Sequence, residues 1–384
     1  MKPNSLTPTK QYPFMNVAKI REEYFPVTKN IVFLDIANHS PPCTPVQEAI
    51  RGYLLDWDRL DRRGDERTEQ TIAEWAKLVG STPEEACFQP NTSAGLATMA
   101  EAIRFKEGEN VVVNDLENPA NLYPWIAQKV RGVEVRAVRG RRGAVRLDDL
   151  EKAIDDKTRV VSISHVEWLT GARHDLRAFS EVVHEHGSYL AVDGIQAAGA
   201  LKVDVKREGV DFYANGAYKW LIGCSGAGFL YVNRELIPEL EPVQFGYRAV
   251  EEHDLERPRL KSSAKKYELG EPSYLSTIGT KAAIELILSL GPAAIESRVL
   301  KLSQMLYDGL SHLGIDIVSP MEKELRSGVI SFSTKDNEAT FKQLMENGFF
   351  LSLRPSGIRV ATDFYNTEEE IDRLLSIIAK CLKQ

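Results

Sequence analysis

From about residue 80 to residue 232, short apolar runs rich in β-formers alternate with amphipathic helical patterns. That alternation leaves few architectures open. Parallel strands need long crossovers, usually helical, and a sheet covered by helices on both faces reads as near-continuous apolar strands. Strands are expected at Ala86–Gln89, 110–113, 133–137, 159–165, 189–192, 212–214 and Gly228–Val232, with helices at 94–104, 122–130, 147–153 and 176–186 between them. The expected fold class is α/β, with a large domain built on a mostly parallel sheet between helices. The polar, aperiodic segment 235–270 reads as a crossing into a second, smaller α+β domain. Its expected parts are helices near 276–289 and 295–313, strand-like runs at 328–333 and Gly357–Ala361, and a last helix. There Thr367 and Glu370 form a capping box ahead of Ile371, Leu374, Leu375 and Ile378. The division is an N-terminal arm over 1–30, the large domain over 31–245 and the small domain over 246–384.

The length of 384 residues suits two domains, and 43 % hydrophobic with 27 % charged residues is ordinary globular composition. The net charge of −7 argues against a general nucleic-acid surface, and Arg139, Arg141 and Arg142 read as a solvated loop. No run approaches the roughly 18 apolar residues that cross a bilayer, and the first residues lack a signal-peptide core, so the expectation is a cytoplasmic protein with no membrane partner. Cys43, Cys87, Cys224 and Cys381 show no CxxC or metal-ligand spacing, and His165, His184 and His186 form no metal constellation. No metal is expected.

Two stretches carry chemistry. In YLAVDGIQAAGAL an apolar strand ends on Asp193, and the carboxyl end of a buried parallel strand is where open α/β sheets bind ligands. A helix N-cap is the competing reading for Asp193 on position alone. In DFYANGAYKWLIGCSGAGFLYV a second short strand leads to Lys219, held between Tyr218 and Trp220 and followed by Gly223, Gly226 and Gly228. A lysine beside aromatics is commonly a snorkelling surface residue. The order of the two stretches, with Lys219 26 residues after Asp193, gives them joint weight.

Together they resemble the class V aminotransferase family of pyridoxal-phosphate (PLP) enzymes, of fold type I, which includes cysteine desulfurases, selenocysteine lyases, kynureninase and isopenicillin N epimerase. The resemblance covers nearly the whole chain. It implies PLP as cofactor, with Lys219 holding the aldehyde as a Schiff base and, once freed by the substrate amine, moving the α-proton through an aldimine and α-carbanion. Asp193 would pair with the ring nitrogen and Gln196 with the ring hydroxyl. Thr92 and Ser93, at the start of a helix, would hold the phosphate with Tyr218. Arg359, in GIRVATDFYNTEEE, matches the arginine that binds the substrate carboxylate; Arg354 is a second candidate. The resemblance also implies a homodimer with a shared active site, to which Glu271, Ser273 and Tyr274 are candidates to contribute.

The pattern breaks in places. LSLRPSG, over 351–357, lacks the desulfurase cysteine, and Asn118 and Trp168 stand where relatives carry His and Asn against the cofactor. His39 is a candidate acid or base, or a structural residue at a turn. The expected activity is therefore that of an aminotransferase acting on an α-amino acid. A C–S lyase and an epimerase of the isopenicillin N type are alternatives, as is a PLP-binding homologue without turnover. A dinucleotide-binding oxidoreductase is disfavoured, because the glycines precede a strand and lack G-x-G-x-x-G spacing.

Overall fold

The computed structural model describes residues 15–58, 63–252, 254 and 256–382, so residues 1–14 of the expected N-terminal arm lie outside the described residues. The main sheet has seven strands, in the spatial order Ala86–Gln89, Gly228–Val232, Phe212–Gly216, Tyr189–Asp193, Thr158–Ser164, Asn110–Asn114 and Glu134–Val138. The last five are mutually parallel, while Gly228–Val232 runs antiparallel to both neighbours. That reversal follows from its connection. Segment 217–227 contains no helix, and without a crossover the chain can only turn back.

Successive strand residues point to opposite faces. Val112, Val161, Ile163, Leu190, Val192 and Tyr213 accordingly join one core, and Val111, Val113, Val160, Ala191, Phe212 and Ala214 the other. Both faces are buried, which is why the strands read as unbroken apolar runs. The helix expected over 122–130 begins earlier, as Pro119–Ala127. Asn118 caps it by accepting the Ala120 N–H at 3.0 Å, and Pro119 supplies a preset first turn.

Helices Thr44–Asp58 and Gly64–Leu78 were not among the expected elements. Against them packs Tyr274–Leu290, the helix expected to open the second domain. The Thr71 hydroxyl donates to the Thr277 carbonyl at 3.2 Å, and Ile284 and Ile287 share a core with the large sheet. A separate antiparallel sheet orders Asp316–Ile317, Val329–Ser333, Gly357–Ala361 and Ser352–Arg354. Helices Pro292–His312, Asn337–Glu346 and Glu368–Cys381 supply Leu302, Leu306, Leu344, Ile371 and Leu374 to its core. The expected capping box is present: Thr367 and Glu370 exchange hydrogen bonds at 3.1 and 3.3 Å. From the other end of the chain, Val32–Phe33 pairs in parallel with Phe349–Phe350. Among the described residues no single helix is long and apolar enough to cross a membrane.

Candidate active site

Three parallel strands end side by side: Ser164 stands opposite Asp193, and Asp193 opposite Ala214. Beyond these ends opens a pocket lined by Thr92, Ser93, Asn118, Trp168, Asp193, Gln196, Tyr218 and Lys219, together with Asn91, Ala120, Ser164 and Ile195. Its position at the carboxyl edge of the sheet is dictated by topology. The chain turns sharply after Asp193, and Gly194 is required there: a Cβ would lie 2.0 Å from the Tyr213 ring.

Asp193 is buried and accepts the Ile195 N–H on Oδ1 at 3.0 Å. Burial pushes its carboxyl up to about 6, against the pull of that hydrogen bond and of the Lys219 charge. Lys219 follows the end of Phe212–Gly216 by three residues, and burial brings its amine down to about 8, with Asp193 opposing the shift. Its Nζ lies 5.7 Å from the centre of the Tyr218 ring. Gln196 uses both ends of its amide: Nε2 donates to the Ala37 carbonyl at 2.9 Å, and Oε1 accepts the Trp220 indole N–H at 2.7 Å.

Thr92 opens the helix Thr92–Ala102, whose N-cap Asn91 accepts the Ala94 N–H at 2.9 Å. The Thr92 hydroxyl is buried without a hydrogen-bond partner, and a Cβ on Gly216 would press to 3.1 Å from it. A glycine thus keeps open the space before that hydroxyl. The buried indole N–H of Trp168 is also unpartnered.

Arg359, Arg354 and His39 lie outside the pocket lining. Arg359 joins it by donating from Nη1 to the Trp168 carbonyl at 2.8 Å. Its Nη2 pairs with Asp35 at 3.5 Å, but neither Nε nor Nη2 makes a well-formed hydrogen bond. These are the two parallel donors of a guanidinium edge, the geometry that fits a carboxylate. His39 is exposed, its ring centre 5.4 Å from that of Tyr218. Glu271 and Tyr274 lie in a separate exposed cluster, where Glu271 accepts the Tyr247 hydroxyl at 2.6 Å and Tyr274 donates to Asp65 at 3.1 Å.

Sequence reasoning missed two buried acids near Asp193. Glu117 accepts the Ser164 N–H and hydroxyl, each at 2.6 Å, and the Asn114 amide at 2.7 Å. Burial nevertheless pushes it up to about 7. Glu167 is fully buried with neither oxygen in a well-formed hydrogen bond, and burial and the nearby Glu117 hold its carboxyl well above the usual range. Both sit on loops, where no periodicity signals burial. His165 and His174 are buried as structural residues: His174 Nδ1 bonds the Ser164 carbonyl at 2.7 Å, and burial depresses His165 to about 3, leaving it neutral. Among the described residues no group of three or more His, Cys, Asp or Glu side chains could hold a metal ion.

A half-buried lysine and a buried carboxylate at the carboxyl edge of a parallel sheet, with a helix N-terminus lining the same pocket, define a site for a phosphorylated organic cofactor. The family model for class V aminotransferases matches residues 32–374, and the chain belongs to that family of PLP enzymes, with its fold type I architecture. It is 28 % identical to a probable cysteine desulfurase of Methanothermobacter thermautotrophicus, over 94 % of this chain and 97 % of the relative. It is equally 28 % identical to the uncharacterized aminotransferase YcbU of Bacillus subtilis, over 93 % and 96 %. Among solved structures, the apo cysteine desulfurase of Thermococcus onnurineus superposes with a TM-score of 0.90 at 25 % identity, covering 97 % of this chain and all of that one.

Proposed function

We propose that this protein is a PLP-dependent enzyme acting on an α-amino acid, with Lys219 as the covalent anchor and transamination as its reaction. The observation that carries the reading is a single pocket holding a desolvated lysine, a buried carboxylate and an unpartnered hydroxyl at a helix N-terminus. That donor set fits PLP. Bound PLP supplies an electron-withdrawing ring that eases loss of a proton from Cα.

The chain's own residues divide the remaining work. Thr92, Ser93 and the first amides of Thr92–Ala102 take the phosphate, where the helix dipole favours an anion. Asp193 would hold a proton on the ring nitrogen. Lys219, with an amine near 8, is poised to accept the α-proton and deliver it elsewhere. Arg359 binds the substrate carboxylate through Nε and Nη2, fixing which bond at Cα is aligned for cleavage. A homodimer belongs to this reading: exposed Val243, Phe245, Tyr247, Leu269 and Leu275 lie near the Glu271–Tyr274 segment and offer apolar surface.

A C–S lyase is the second reading, favoured by the names of two relatives. Within it, elimination fits better than persulfide transfer. The hairpin before Arg359 carries no cysteine, Cys43 and Cys87 are buried, and burial pushes the Cys43 thiol up to about 11.

The purified protein incubated with PLP is expected to turn yellow, and borohydride to fix the cofactor on Lys219. K219A should lose both the attachment and on the order of a thousandfold in turnover. An unchanged spectrum in K219A overturns the reading. With a panel of amino acids, keto acid formed only when an amino acceptor is added supports transamination; pyruvate and sulfide without an acceptor support elimination.

A further inference from the structure

The hairpin that carries Arg359 carries a second guanidinium. Ser352–Arg354 and Gly357–Ala361 pair antiparallel, with Ser352 opposite Arg359 and Arg354 opposite Gly357. Because side chains alternate, Ser352, Arg354 and Arg359 share one face, and the two arginines are diagonal neighbours at a spacing of roughly 7–8 Å. Like charges at that spacing repel, and the Arg354 charge acts on both Arg359 and Lys219.

The counter-charge is uneven. Asp35 accepts the Ser352 hydroxyl and pairs with Nη2 of Arg359 at 3.5 Å. Arg354 makes no ion pair among the described residues; its Nη2 donates to the Ser352 hydroxyl oxygen at 3.2 Å. Its buried Nε has no acceptor, and neither does the buried hydroxyl of Ser356 in the adjoining turn. A guanidinium that merely decorated a surface would keep these donors in water. Two unpartnered donors thus belong to the end of the same hairpin that carries the arginine edge assigned to a carboxylate.

We propose that Arg354 and Ser356 form a second anion subsite that receives the acidic side chain of the amino-acid substrate while Arg359 holds its α-carboxylate. The substrate class is then an amino acid with a carboxylate or sulfinate on a short side chain. The subsite rests on the reading of the Lys219 pocket as a PLP-dependent amino-acid site.

The test uses the PLP-loaded full chain and reads the change in cofactor absorbance on titration with L-aspartate and with L-alanine. Wild-type protein should bind aspartate more tightly than alanine. R354Q should shrink that preference on the order of tenfold to a hundredfold, as expected for loss of a hydrogen bond to a charged group. S356A should shrink it less, in the same direction. Equal weakening of both amino acids in R354Q, or a wild-type preference for alanine, overturns the subsite. If R354Q fails to take up PLP, the same ratio in S356A decides. A spectrum that responds to neither amino acid, in protein that has taken up PLP, overturns the amino-acid reading itself and the subsite with it.

Discussion

On the floor of the pocket, Glu117 accepts three hydrogen bonds, Gln196 is tied at both ends of its amide, and Ser164 gives its N–H and its hydroxyl to one carboxylate. At the mouth, Arg359 has two donors without a well-formed hydrogen bond, one of them ion-paired with Asp35, and Arg354 and Ser356 have one unpartnered donor each, although all of these atoms are buried. The two regions use the same kinds of polar group to opposite ends. Where Glu117, Gln196 and Ser164 answer one another the floor resists rearrangement, and the unpartnered Thr92 hydroxyl and Trp168 indole N–H are left for a group that stays. A mouth with unanswered donors is completed only by a visitor, and so suits a substrate that comes and goes.

Four substitutions would break or sharpen that contrast. The largest effect is expected for D193N, which keeps the floor's shape and removes its charge. Turnover of the PLP-loaded protein should fall by about 10²–10³, the scale for losing one preorganised electrostatic contact; a fall under threefold would sink the assignment. At the mouth, R359K keeps a cation for Asp35 but loses the planar fork. The KM for an amino acid should rise on the order of tenfold to a hundredfold, with the denaturation midpoint nearly unmoved. A large loss of stability with KM preserved would make Arg359 structural.

The next test is of pH. Glu117 and Glu167 are both raised in the fold, so the stability they contribute is full below their unfolded values near 4.5 and is lost as pH rises, through about 7 for Glu117. Denaturant titration of the cofactor-free chain should show stability falling by about 1–3 kcal/mol between pH 5 and pH 8. E167Q should flatten that slope, and a slope of opposite sign would refute the account. The smallest effect is expected for N118A, which removes the cap of Pro119–Ala127 at a cost of about 1 kcal/mol by thermal or chemical denaturation.

How much of this was legible depended on how local the signal was. Asp193 and Lys219 stand at or just past the ends of apolar strands, so strand pattern and topology together locate them. The same holds for Thr92 at a helix start and for Thr367 with Glu370 in their capping box. Glu117 and Glu167 were not legible: each lies in an irregular loop after a strand, and their burial arises only when the loops after Asn110–Asn114 and Thr158–Ser164 meet. Pairing of Val32–Phe33 with Phe349–Phe350 is a contact between distant parts of the chain that no local period encodes. The placement of Tyr274–Leu290 was hidden for a related reason. Its partners Thr44–Asp58 and Gly64–Leu78 were themselves not anticipated, and without them nothing indicated where its apolar face would bury.

The segment from Val32 to Ser40 threads all of these regions in one short run. Val32–Phe33 adds to the strand before the arginine hairpin, Asp35 supplies the counter-ion of Arg359, the Ala37 carbonyl anchors Gln196, and the Ser40 N–H bonds the Tyr218 carbonyl at 2.8 Å. A single proteolytic nick in that run would therefore act on the substrate mouth and the cofactor floor at once, disabling both with every residue of the pocket still present.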